Sequence, residues 1–376
     1  MVIMKKIIEF VKKDPMLPVA ILAALISLFI TPPSRATLEG IDWKTLATLF
    51  MLLLILDGFK HENLFQPVIR LTGRIKTRLG LSFFLVFGVF VSSMFVTNDV
   101  SLIIFVPLTI MLLKNGGEEL ILPLLALENI AAVRGSLLTP FGSPQNLFLF
   151  QQSGQSAGEF MLMMLPLWLL SIVLLSAFIV FLHRKSLKLE TLRVESDGAW
   201  SPEGKTRRIL YLALFIVVIG TIVSRTELWP YVTLVVVLVL AFGDRDVFKR
   251  VDYALILTFL CFFVFASSIA SNEKVAGFLE RSVAGHEYIW SIGLSQIISN
   301  VPASIVLWPF TTELKPLIYG LDTAGLVSVI GSLASVINLR IYINEYPGKA
   351  GRFMLIFEKY SLAFFVLVVF TQLLFM

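Results

Sequence analysis

The chain has 376 residues, 57% of them hydrophobic and only 15% charged, with 31 lysines and arginines against 26 acids for a net charge of +5. Soluble proteins carry roughly 25% charged residues because their surface faces water, so this deficit, spread from end to end, excludes a soluble domain and a single membrane anchor alike. The lone Cys261 excludes disulfide chemistry, the three separated histidines offer no metal-ligand spacing, and basic residues clustered at the ends of apolar runs argue against a nucleic-acid surface.

The chain opens with Lys5, Lys6, Lys12 and Lys13, a cluster that the positive-inside rule places in the cytoplasm. Apolar segments near 16–31 and 43–59 follow, then a second basic cluster at Arg70, Arg74, Lys76 and Arg78. The run 81–113 is unusual. As one helix it would reach about 50 Å, past a hydrocarbon layer of ~30 Å, yet two full crossings need about 40 apolar residues. Its middle holds Thr97-Asn98-Asp99, the only strongly polar cluster in the run. Two short helices that meet at a polar tip, entering and leaving on one side, fit this pattern. Such backbone is tolerated in a membrane only where protein or a cavity covers it.

Segments 120–151 and 160–183 bring the chain back to the cytoplasm, where the polar stretch 184–208 reads as a linker. Within it, Gly198 to Thr206 imitates a phosphate-binding loop, but the gap between its glycines is one residue too long. ATP is therefore set aside as a direct energy source. Further apolar segments lie near 209–224, 229–243, 253–271, 286–312, 321–343 and 353–375.

The second half echoes the first. Ile41-Asp42-Trp43 matches Val251-Asp252-Tyr253, and each is followed by a helix and an amphipathic stretch (60–78 and 272–285). Asn98, Pro107 and Thr109 recur at equal offsets as Asn300, Pro309 and Thr311. Thr139-Pro-Phe-Gly142-Ser143-Pro-Gln-Asn146 aligns with Ser328-Val-Ile-Gly331-Ser332-Leu-Ala-Ser335. The expected organisation is a first repeat over 1–183 with hairpin 81–113, a linker over 184–208, a connecting transmembrane helix over 209–228, and a second repeat over 229–376 with hairpin 286–312. The span near 209–224 has no counterpart, so the second repeat starts on the opposite side and is inverted, with the C-terminus outside. The fold class is all-α: a polytopic membrane protein of two inverted repeats, each with a re-entrant hairpin and a broken transmembrane helix, as in many secondary transporters.

Four stretches carry a family resemblance: Phe95 to Ser101, Gly135 to Asn146, Leu294 to Pro302, and Gly331 to Ser335. The chain resembles the ion transporter superfamily of ArsB arsenite permeases, NhaD sodium/proton antiporters, citrate-transporter-like proteins and divalent-anion/sodium symporters, nearest to the YbiR-type inner-membrane permeases. The resemblance implies a Ser-Asn-Thr-type signature at each hairpin tip, occupied here by Thr97-Asn98-Asp99 and Ser299-Asn300-Val301. It also implies a homodimer and an elevator-like mechanism.

The residues themselves suggest chemistry. Sodium takes oxygen ligands, and amides, hydroxyls and unwound carbonyls at these breaks supply them. Broken helix N-termini carry free N–H groups and partial positive charge, suited to a carboxylate or oxyanion. The candidate substrate and ion set is Thr97, Asn98, Asp99, Ser101, Thr139, Gly142, Ser143 and Asn146 in the first half. In the second it is Ser299, Asn300, Pro302, Ser328, Gly331, Ser332 and Ser335. Sodium is expected at the Asn98 and Asn300 tips, and no other cofactor. The competing reading of both asparagines is a helix-capping amide. Ser335 stands where the family usually has Asn, with Asn338 close enough to compensate.

Asp99 departs from the symporter signature and resembles the Asn-Asp of the arsenite permeases. Ionisable residues at membrane depth are functional candidates, and Arg134 is its candidate charge partner. Glu128, six residues earlier and ~120° around an ideal helix, does not share a face with Arg134. Gly135, Gly142 and Gly331, with Pro140 and Pro144, break the crossing helices or serve close helix packing. The expected function is secondary transport of a small anion in the inner membrane, driven by sodium or protons. The rivals are an NhaD-like cation/proton antiporter and an intramembrane enzyme, for which no nucleophile–base set or metal cluster is placed.

Overall fold

Asp42 and Asp252 start equivalent helices by the same device. The Asp42 carboxylate accepts from Thr45 N at 2.9 Å and Thr45 Oγ1 at 2.6 Å, and Asp252 Oδ1 accepts from Ala254 N at 3.0 Å and Leu255 N at 3.3 Å. Each satisfies N–H groups that a helix start leaves over. The computed structural model describes residues 16–32, 35–64, 71–75, 77–114, 118–184 and 205–372. Among the described residues every regular element is helical.

In the first half, α1 (Met16–Ile30), α2 (Arg35–Glu39) and α3 (Trp43–His61) precede a hairpin of α4 (Arg78–Val96) and α5 (Asn98–Leu113). A broken helix, α6 (Glu118–Gly135) and α7 (Pro144–Ser153), leads to α8 (Ala157–His183). After α9 (Lys205–Ser224) the order returns as α10 (Trp229–Gly243), α11 (Val247–Arg250), α12 (Tyr253–Ala270) and α13 (Glu273–Val283). Then come the hairpin α14 (Glu287–Ile298) and α15 (Asn300–Leu307), the broken pair α16 (Leu314–Ala324) and α17 (Leu333–Glu345), and α18 (Ala350–Gln372). α9 covers 209–224 of the stretch 209–228, and α10 begins at Trp229. Most of the linker, with the imitation phosphate loop, lies outside the described residues, as do 65–70 and 76 of the first amphipathic stretch.

Among the described residues, five helices are long and apolar enough to cross a membrane: α4, α8, α9, α12 and α18. Their outer faces carry exposed apolar side chains such as Leu162, Ile216 and Phe370, as a lipid-facing surface requires. The first hairpin differs from expectation in length. Its leading arm, at 19 residues, reaches about 28 Å and is not a short half-helix. Both its ends nevertheless meet near one place: Arg78 pairs with Glu119 at 2.8 Å, just beyond the end of α5. The second hairpin closes likewise, with Glu287 Oε1 accepting from Thr312 N at 3.1 Å and Thr312 Oγ1 at 2.7 Å.

The helices pack as two groups. One contains α1–α3 and α9–α13; the other contains α4–α8 and α14–α18. Within them the halves exchange partners: α1 lies on α12 while α10 lies on α3, and α5 lies on α17 while α15 lies on α7. The groups touch mainly through α3 against α5 and α7, and α12 against α15.

Candidate functional site

Each hairpin turns through a single residue. Thr97 stands at φ 69°, ψ 158° and Ser299 at φ 69°, ψ 159°. This region of backbone space is essentially reserved for glycine, and holding another residue there costs about 1–3 kcal/mol. Two non-glycine tips share it. The turn lets α5 and α15 begin at once with Asn98 and Asn300, without a side chain from the cap residue closing the N-terminus. Asn98 Oδ1 accepts from Asp99 N at 2.9 Å, and Ser101 returns its hydroxyl to Thr97 O at 2.9 Å. Asn300 is buried and its Nδ2 has no hydrogen-bond partner among the described residues.

The breaks in the crossing helices lie against these tips. A Cβ on Gly135 would stand 2.0 Å from Phe90 O, so only glycine lets α6 approach α4 this closely. Thr139 Oγ1 then donates to Met94 O at 2.5 Å. In the second half Ser328 Oγ donates to Gln296 Oε1 at 2.7 Å, and a Cβ on Gly331 would stand 2.2 Å from Ala324 O. Ser143 caps α7 through Asn146 N at 3.4 Å, and Asn146 Nδ2 reaches Ser136 O and Leu137 O at 3.3 and 3.4 Å. Pro302 occupies the first turn of α15, where its missing N–H is harmless. Ser332 is buried at the start of α17.

A cavity of about 190 Å³ opens between the two helix groups. Thr97, Asp99, Ser143 and Pro144 line one wall, and Asp57, Lys60, Arg250 and Asp252 the other. Of the candidate residues it gathers Thr97, Asp99 and Ser143; Asn98, Ser101, Thr139, Gly142, Asn146 and the whole second-half set lie outside its lining. Its charged wall is braced. Arg250 donates to Asp57 Oδ2 at 2.6 Å and to Asp244 Oδ2 at 3.0 Å, and Tyr211 OH donates to Asp244 Oδ2 at 2.8 Å. Burial pushes the Asp244 carboxyl up, but the Tyr211 and Arg250 hydrogen bonds outweigh it and hold the group below the usual range.

One expectation needs correction. Arg134 does not serve Asp99: fully buried, it gives Nε to Ser171 Oγ at 3.0 Å, and the carboxylate whose field reaches it is Asp322. Arg134 is not among the residues that line the cavity. At Ser335 the neighbouring amide is that of Asn129, with Nδ2 on Ser335 Oγ at 2.9 Å, while Asn338 Nδ2 donates to Leu125 O at 2.7 Å. Sequence reasoning missed Asn129, Asp322 and Gln145, whose Nε2 donates to Asp322 Oδ1 at 3.0 Å. For Asp322 the signal was present, as an acid inside an apolar run.

The family described as citrate transporter matches residues 1–336. The chain is 33% identical over 323 residues to "Inner membrane protein YbiR" of Escherichia coli, covering 84% of each chain. It is 30% identical over 320 residues to "Uncharacterized transporter MJ0456" of Methanocaldococcus jannaschii, covering 84% of this chain and 85% of that one. A "46 kDa membrane protein" of Mycobacterium leprae is similar at 22% identity over 339 residues.

Proposed function

Because this chain belongs to the citrate transporter family, we propose that this multi-pass membrane transporter is a secondary permease for a small anion, a carboxylate or oxyanion, coupled to sodium or protons. The observation that carries the reading is the pair of tips, Thr97 and Ser299, held in one glycine-only conformation with a buried asparagine opening the next helix. Two such positive helix ends suit an anion, and amide and hydroxyl oxygens beside them suit sodium.

The halves are read as inverted. The first hairpin's mouth lies by Glu119 and Lys114, and Lys114 approaches Glu345 at 3.7 Å. The second hairpin's mouth lies at Thr312, just before α16. The broken helix from 314 to 345 runs between the two mouths, and on this reading they open on opposite faces. The positive-inside rule assigns the first mouth, with its basic residues, to the cytoplasm of an inner membrane. The division into two helix groups is compatible with an elevator in which the hairpins move as one body; a homodimer is what the family resemblance implies.

Asp99 favours a second reading, cation/proton exchange of the NhaD kind, because this acidic residue lines the cavity. Proteoliposomes loaded with buffer and offered citrate, dicarboxylates, sulfate or arsenite, with and without sodium and pH gradients, test the main reading. Uptake of one anion class is expected with the wild type and is lost in Asn98→Ala and in Asn300→Ala, each folded by its elution profile. Normal uptake by either variant at limiting and saturating ion alike would remove that tip from the ion shell.

A further inference from the structure

Where the middle of α6 meets α5 and α17, the hydrogen bonds leave oxygen atoms over. Leu125, Glu128 and Asn129 share one face of α6 by their spacing, and Ser335 and Asn338 share one face of α17. Glu128, Asn129, Ser335 and Asn338 are all completely buried. Their nitrogens are engaged: Asn129 Nδ2 donates to Ser335 Oγ at 2.9 Å and Asn338 Nδ2 to Leu125 O at 2.7 Å. The Thr109 hydroxyl on α5 donates to Glu128 Oε1. What remains is acceptors. Glu128 Oε2, Asn129 Oδ1 and Asn338 Oδ1 are buried with no hydrogen-bond partner among the described residues.

We propose that this junction is a binding site for one sodium ion, held by the Glu128 carboxylate with side-chain oxygens of Asn129, Ser335 and Asn338. A buried acceptor left without a donor is costly, and a hard cation satisfies several at once. A single carboxylate balances a single positive charge at membrane depth, where an uncompensated one is expensive. Calcium would demand a shell of ~6–8 oxygens and usually more acids. The site lies in the helix group that carries both hairpins, so it supplies a coupling ion to the transport reading. It rests on that reading for its purpose only, since binding is measurable without transport.

The test is the melting temperature of the purified full-length protein, titrated with sodium chloride against choline chloride at constant ionic strength. A ligand that binds only the folded form raises the melting temperature with its concentration. In an Asn98→Ala/Asn300→Ala background, which removes the tips, a sodium-dependent rise should persist. Adding Glu128→Gln should weaken the apparent sodium affinity about tenfold or more, and adding Ser335→Ala, the smaller change, should weaken it in the same direction. A rise that vanishes with the tips, or that neither addition alters, overturns the site. A response to pH rather than sodium that Glu128→Gln removes also overturns it, in favour of a proton carrier. Sodium binding that stands while wild-type liposomes take up no anion counts against the transport reading and leaves this site intact.

Discussion

Asp99 and Glu128 show how differently one residue type can be placed. Asp99 lines the cavity between the helix groups, while Glu128 lies sealed between helices. An anion symporter needs from Asp99 only an oxygen ligand or a field, which an amide partly supplies. An exchanger needs a group that loses a proton when a cation arrives. Asp99→Asn should therefore retain sodium-dependent anion uptake with half-saturating sodium raised about tenfold, a cost of ~1.4 kcal/mol. Uptake measured against sodium at several pH values checks this. Complete loss at every concentration, beside a wild type that exchanges cations without any anion, would favour the antiporter.

At the scale of elements, the hairpins are built from the same parts at different lengths. The first has arms of 19 and 16 residues, the second of 12 and 8. Proline at 107 lies inside α5, whereas Pro309 lies in the short 3-10 turn Trp308–Phe310 that follows α15. Both hairpins close at their mouths through polar contacts, Arg78 with Glu119 and Glu287 with Thr312. Single cysteines near Lys114 and Glu313, introduced into a Cys261→Ser background, should react with an impermeant maleimide from the cytoplasmic and outer faces respectively. Labelling of both from one face would contradict the inversion.

At the scale of the whole molecule, the two helix groups meet over few elements, with Phe148 of α7 packed edge-on against Phe263 of α12 at 5.6 Å between ring centroids. Relative motion of the groups would separate this pair. Phe148→Cys with Phe263→Cys, again without Cys261, should lose most uptake when joined by a short bis-maleimide. Either single variant treated alike should keep it. Full uptake by the joined protein would mean that the groups need not move.

Hydropathy alone determined that this chain is a helical membrane protein, because a bilayer demands long uncharged runs whatever they pack against. The repeat and both tips were legible too, since Asp42 with Asp252 and Asn98 with Asn300 act within a turn or two of their own positions. The partners of Arg134, Ser335 and Asn338 were not. Those contacts join residues 37, 206 and 213 positions apart. Only the packing of α6 on α8 and α17 decides them, because a helix periodicity says which residues share a face and never which helix that face will meet.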